Sequence, residues 1–209
     1  MPADFPRPVR VPGVLFEYLP GGEDPAVLSR IAHESAQALL SRVRTERDPE
    51  ILERLLSYVQ THGIDAIAEL WSGSLPDSLP GALWRIYLLH AIIRKDPDGV
   101  SGLYRLGVEQ LRGIEEAVAG AAAPTGPDEI VQLADRILRG VFEGDFAIAL
   151  ERAAAFSRIA AAGAAHLADQ ADVRSPEESK EFTTTALRFS QYSEHLVAAA
   201  RRWRVGGLD

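Results

Sequence analysis

Residues 80–97 read Pro80-Gly81-Ala82-Leu83-Trp84-Arg85-Ile86-Tyr87-Leu88-Leu89-His90-Ala91-Ile92-Ile93-Arg94-Lys95-Asp96-Pro97. A helix through this stretch carries Leu83, Trp84, Ile86, Tyr87, Leu88, Leu89, Ile92 and Ile93 around nearly its whole circumference, and a helix apolar on all sides is buried on several of them. The segment therefore belongs at the centre of the fold. Asp96-Pro97 then sets an N-cap oxygen before a proline, whose missing N–H and fixed φ suit a first helical position. The stripe that follows, Val100, Leu103, Tyr104, Gly107, Leu111, Ile114 and Val118, predicts a second helix. The short connection predicts an antiparallel helical hairpin.

Working outward, Asp24-Pro25, Asp48-Pro49 and Ser175-Pro176 repeat the same start signal, and Glu178 completes a capping box with Ser175. In residues 25–44 the spacing of Leu28, Ile31, Ser35, Leu39 and Arg42, flanked by Val27, Ala38 and Val43, predicts an amphipathic helix. Ile51 to Val59 and Ile64 to Trp71 predict two short helices, with His62-Gly63 between them. Ile130, Ala134, Ile137, Leu138 and Val141 mark a helix from Pro127 to Glu143, broken by Gly144-Asp145. From Ala153 to Ala168, nine of sixteen residues are alanine, which lets a neighbouring helix approach closely. The last helix has the most regular seam: Phe182, Ala186, Phe189, Ser193, Leu196, Ala200 and Trp203 alternate large and small at spacings of four and three.

Strand periodicity is absent beyond the N-terminus, so the expected fold is all-α, with about eight helices in a single domain over 1–209. A helical-hairpin-rich N-terminal half packs on a C-terminal bundle with one long helix. The Ala, Gly and Pro-rich stretch 119–127 divides subdomains 24–118 and 127–205. Residues 1–20 are read as an extended arm, because its prolines prevent a regular helix. Val11, Phe16 and Tyr18 are its candidate contact residues, either over the chain's own domain or on a partner.

Composition removes several classes of function. Twenty-two Lys and Arg against 30 Asp and Glu give a net charge of -8, which disfavours a dedicated nucleic-acid binder. Arg201, Arg202 and Arg204 are then a cluster complementing the dipole at a helix end. The absence of cysteine excludes disulfides, thiolate metal sites and a thiol nucleophile. Asp4, Glu17 and repeated prolines interrupt the first twenty residues where a secretory signal needs an apolar run, and no membrane-length apolar stretch exists. The expectation is a cytoplasmic protein with no membrane association. The 31 alanines and two lysines against twenty arginines match the residue usage of a high-GC genome.

Catalytic signals are missing: there is no nucleophile elbow, no phosphate-binding glycine motif and no Glu-x-x-His pair. His62-x-x-Asp65 and His166-x-x-Asp169 have a spacing a metal site can use, but their structural reading is a helix-end histidine and a solvated or mutually bonded pair. No catalytic residue, metal or cofactor is assigned. Gly99, Gly102, Gly107 and Gly113 on one helix mark either close packing or backbone approach to a ligand. The polar candidates for a ligand site are Arg85, His90 and Arg94, with Trp84 and Tyr87 beside them. A cation on a buried helix needs a carboxylate, an aromatic face or a ligand anion. The structural alternative for Arg85 is an internal salt bridge to Glu69 or Glu151.

Three segments, Phe5-Pro6-Arg7-Pro8-Val9-Arg10-Val11-Pro12-Gly13, Pro80 through Leu89, and Gly144-Asp145-Phe146-Ala147-Ile148-Ala149-Leu150-Glu151-Arg152-Ala153-Ala154-Ala155-Phe156, give the chain a resemblance. It resembles an uncharacterised all-helical family of high-GC Gram-positive bacteria, from which no activity transfers. Such proteins sometimes carry an RNA polymerase-associated label, although no polymerase motif such as an Asp-rich magnesium loop is present. Two functions remain. The favoured one is a non-catalytic interaction or adaptor protein, a homodimer or bound to a protein partner in a transcription-linked assembly. The alternative is a small-molecule binding protein or enzyme whose anionic ligand sits beside helix 80–95.

Overall fold

The computed structural model describes residues 24–46, 71–111 and 126–208. Among these the chain is helical without strands, in six helices: α1 (Pro25–Glu46), α2 (Leu79–Lys95), α3 (Pro97–Leu111), α4 (Pro127–Glu143), α5 (Phe146–Ala171) and α6 (Pro176–Arg204). The all-α expectation holds, with six helices rather than about eight. The expected helices at 51–59 and 64–71 lie outside the described residues, apart from Trp71. There are two long helices instead of one, since α5 has 26 residues and α6 has 29.

Several starts follow the sequence signals. Asp24 Oδ1 accepts from the Ala26 N–H at 2.9 Å, and Asp96 Oδ1 accepts from the Gly99 N–H at 2.9 Å. The α2 start is set by Ser78, whose Oγ accepts from the Gly81 N–H. Asp145 caps α5 by accepting from the Ala147 N–H at 2.8 Å. The capping box expected at Ser175 does not form, because the Ser175 side chain makes no cap bond. Glu129 instead reaches back to the Gly126 N–H at 3.0 Å and closes the start of α4. At the other end of α6, Gly206 takes a positive φ of 69° and lets the chain fold back, so that the Gly207 N–H bonds Arg202 O and Leu208 is buried.

Antiparallel α5 and α6 form the main pair, and the α6 seam lies against α5. Phe189, Ser193, Leu196 and Ala200 are buried, and Trp203 meets Phe146 edge-on at 4.9 Å. Small residues on α5 supply the holes. α4 buries Ile130, Ala134, Ile137, Leu138 and Val141 as its spacing predicts, together with Leu133. α2 touches all five other described helices, which is the central position its composition demands. One hydrophobic cluster gathers residues from all six helices, on both sides of 119–127.

Two local expectations are corrected. α3 does not lie along α2 as a hairpin partner; beyond the turn it runs along α5. A Cβ on Gly107 would sit inside the carbonyl oxygen of Ile159, and a Cβ on Gly163 inside that of Leu103, so the two backbones touch. This reciprocal glycine contact, with Tyr104 stacked on Phe156 at 5.2 Å, draws α3 onto α5. On α1 the inward face is Ala32, Ala36 and Leu40, whereas Leu28 and Ile31 are exposed. That face packs on α2 and α4, and Trp71 donates from Nε1 to Ser35 Oγ at 3.0 Å.

Candidate functional site

The five ligand candidates on α2 fall into separate sets. His90, buried, bonds Asp135 Oδ1 on α4 through Nε2 at 2.8 Å, and Arg94 donates from Nη2 to both Asp135 oxygens at 3.0 Å. Burial alone would raise the Asp135 carboxyl, but the hydrogen bonds from His90 and Arg94 outweigh it and hold it below the usual carboxylate range. This is a tie between α2 and α4, and it uses up the two groups that share a face.

Arg85 points to the other side of α2. Its Nε donates to His195 Nδ1 on α6 at 3.0 Å and its Nη1 to Gly81 O at 2.8 Å. Neither expected carboxylate serves it, since Glu69 lies outside the described residues and Glu151 is held by Arg204, whose Nη2 donates to Oε2 at 2.7 Å. Burial lowers the Arg85 pKa from its ordinary value, opposed by Tyr192 and Asp77. Burial, followed by the Arg85 charge, lowers that of His195. An imidazole accepting at Nδ1 is neutral, with its proton on Nε2. Trp84 and Tyr87 stack on each other with centroids 5.9 Å apart, half-buried. Thus His90 and Arg94 share Asp135 on α4, whereas Arg85 turns to His195 on α6.

The remaining sequence candidates are placed as follows. His166 bonds Gln170 at 2.7 Å rather than Asp169. Among the described residues no group of three His, Asp or Glu side chains could hold a metal. His62, Asp65 and the arm residues Val11, Phe16 and Tyr18 lie outside the described residues. Arg202 pairs with Asp77 and Arg204 with Glu151, so two of the three terminal arginines hold α6 to the rest of the fold. No helix among the described residues is long and apolar enough to cross a membrane.

What the sequence did not single out is an open groove of about 580 Å³ at the far end of α2, where α3 passes α6. Its apolar lining is Ile92, Leu103, Leu106, Leu167, Phe182 and Phe189, and Lys95, Arg188, Asp96 and Asp98 line it as well. Gly102 lines it too, and a Cβ there would meet nothing within 4 Å. The groove exists because α3 leans toward α5 at Gly107, one and a half turns beyond Gly102, and leaves its first turns short of α6. The signal available in the sequence was this glycine pair on one helix, of which Gly107 packs and Gly102 opens. Comparison of the chain with models of protein families, with curated proteins and with solved structures finds no match in any of the three.

Proposed function

We propose that this chain is a non-catalytic interaction protein, and that the groove between α3 and α6 receives apolar side chains of a protein partner. The observation that carries this reading is an open groove lined by six apolar side chains, five of them half-buried, together with charges of both signs. An amphipathic helix laid into such a groove buries its apolar face and meets those charges with its polar flanks. The polar groups of α2 support the same reading, because His90 and Arg94 are spent on Asp135 in holding the fold. Membership of a transcription-linked assembly, a cytoplasmic setting and homodimerisation belong to this proposal as the sequence raised them.

Gly102 supplies the test. A photo-reactive side chain at position 102 crosslinks a discrete protein in cells, and Gly102→Trp, which fills the groove without entering the core, abolishes binding of that protein. Absence of a discrete crosslinked protein, or binding of that protein to Gly102→Trp as tight as to the unsubstituted chain, refutes the reading. The small-molecule alternative has its own signature: a metabolite retained by the purified chain, seen by mass spectrometry and lost in Gly102→Trp.

A further inference from the structure

Arg85 is a half-buried guanidinium whose bonds go to two neutral groups, His195 Nδ1 and Gly81 O. No carboxylate among the described residues bonds to it; Asp77 acts on it as a charge but is engaged by Arg202. Among the described residues nothing accepts from Nη2. A desolvated guanidinium in that state is short of an anion.

The facing surface of α6 supplies further donors. Arg188, Tyr192 and His195 stand at spacings of four and three and so share one face, and the His195–Arg85 bond turns that face toward α2. Tyr192 is half-buried, packs edge-on against Phe189 at 6.5 Å, and has no hydrogen-bond partner among the described residues. Its hydroxyl feels the charges of both Arg188 and Arg85. Arg188 is exposed and forms no ion pair among the described residues. In a chain of net charge -8, two arginines and a phenol on one seam, with no carboxylate bonded to them among the described residues, are an unusual grouping. Glu194, exposed beside His195, Asp77, paired with Arg202, and Asp96 and Asp98, which line the groove with Arg188, are acidic groups nearby.

We propose that Arg85, Arg188 and Tyr192 form a binding site for an oxyanion, a carboxylate or phosphate group, held by two guanidinium groups and a phenol O–H. Arg188 also lines the groove, so a ligand whose anionic group sits on this seam can lay its apolar part along Phe189 and Phe182. The site goes beyond the groove reading and stands without it: filling the groove at Gly102 tests one, and an anion titration tests the other.

The full chain is titrated with inorganic phosphate and, separately, with acetate, at ionic strength held constant with chloride, while the Nε–H resonances of Arg85 and Arg188 are followed by NMR. Both resonances shift saturably, and Arg188→Gln and Tyr192→Phe each weaken the affinity by about tenfold, the loss of one charge-assisted or phenolic hydrogen bond. Arg105→Gln, at an exposed position on α3, leaves it unchanged. Tighter binding of phosphate assigns the site to phosphate groups, and tighter binding of acetate assigns it to carboxylates. Shifts that never saturate with either anion, or wild-type affinity in Arg188→Gln, overturn the proposal. Arg188 is exposed, so that variant folds whatever happens to Arg85.

Discussion

Three glycine-to-alanine substitutions make the sharpest test of the α3–α5 packing, because the same added methyl group meets opposite surroundings at Gly102 and at the crossing formed by Gly107 and Gly163. At Gly102 the new Cβ finds open space, so the chain gains the helix preference of alanine and loses unfolded-state freedom. Gly102→Ala therefore stabilises by about 0.4–1 kcal/mol. At Gly107 the same methyl enters the Ile159 carbonyl, and at Gly163 the Leu103 carbonyl, and main chain cannot rotate aside as a side chain would. The helices must part by roughly 1 Å, enough to forfeit a quarter to a half of each dispersion contact along the crossing. Overpacking of this kind costs about 1–3 kcal/mol, and the methyl's own helix gain recovers under 1 kcal/mol of it. Because the two glycines serve a single crossing, the double variant costs less than the sum of the singles, the first separation having made room for the second methyl. Urea unfolding of the four variants reads these differences directly. Each kcal/mol moves the thermal midpoint by about 2–4 °C in a chain of this size. Gly107→Ala as stable as wild type, or strictly additive losses, would refute the backbone contact.

The remaining expectations concern the seam and the two histidine ties. Phe189→Ala removes a buried knob facing α5 and costs about 3–5 kcal/mol in urea unfolding; a loss below about 1 kcal/mol means the seam is not packed as described. Asp135 has its folded pKa depressed by His90 and Arg94, so its contribution is present above the ordinary carboxylate pKa and is lost as pH falls through the folded value. Asp135→Asn lowers stability at neutral pH and flattens the acid limb of a stability–pH curve, whereas an unchanged limb contradicts the tie. His195 has its folded pKa below the ordinary value of 6.5, so the unfolded chain binds protons first and stability falls as pH drops through that region. His195→Gln removes this dependence, which unfolding midpoints on either side of pH 6.5 detect.

Much of the architecture was legible because its causes are local. The apolar circumference of 80–95 gave its central position, and Asp24, Asp96 and Asp145 each cap where they stand before a helical run. The features that were not legible depend on two segments meeting. Leu28 and Ile31 read as the inner face of α1, but the face that meets α2 and α4 is that of Ala32, Ala36 and Leu40. A short link after Lys95 reads as a hairpin, but the glycines at 107 and 163 bind α3 more closely to a helix much later in the chain. Arg85, His90 and Arg94 stood out in the sequence as polar groups on an apolar helix. Their partners, His195 and Asp135, lie 110 and 45 or 41 residues away, beyond the reach of any spacing rule. The groove was invisible for the same reason: its wall is built from residues that each look like core, and only the divergence of α3 from α6 uncovers them.

The alanines of α5 carry a consequence for how this chain tolerates mutation. Ala149, Ala153, Ala154, Ala155, Ala160 and Ala164 are buried where neighbouring helices come close. A single base change in an alanine codon yields valine, threonine, serine, proline, glycine, aspartate or glutamate. Most of these add volume or charge where there is no space, and glycine and proline weaken the helix itself. α4 and α6, built from large knobs, suffer when a residue shrinks, whereas α5 suffers when one grows. Inherited variation should accordingly be sparsest along the inner faces of α5, among the smallest side chains in the protein, and a survey of viable variants would find valine there less often than on the exposed turns of α6.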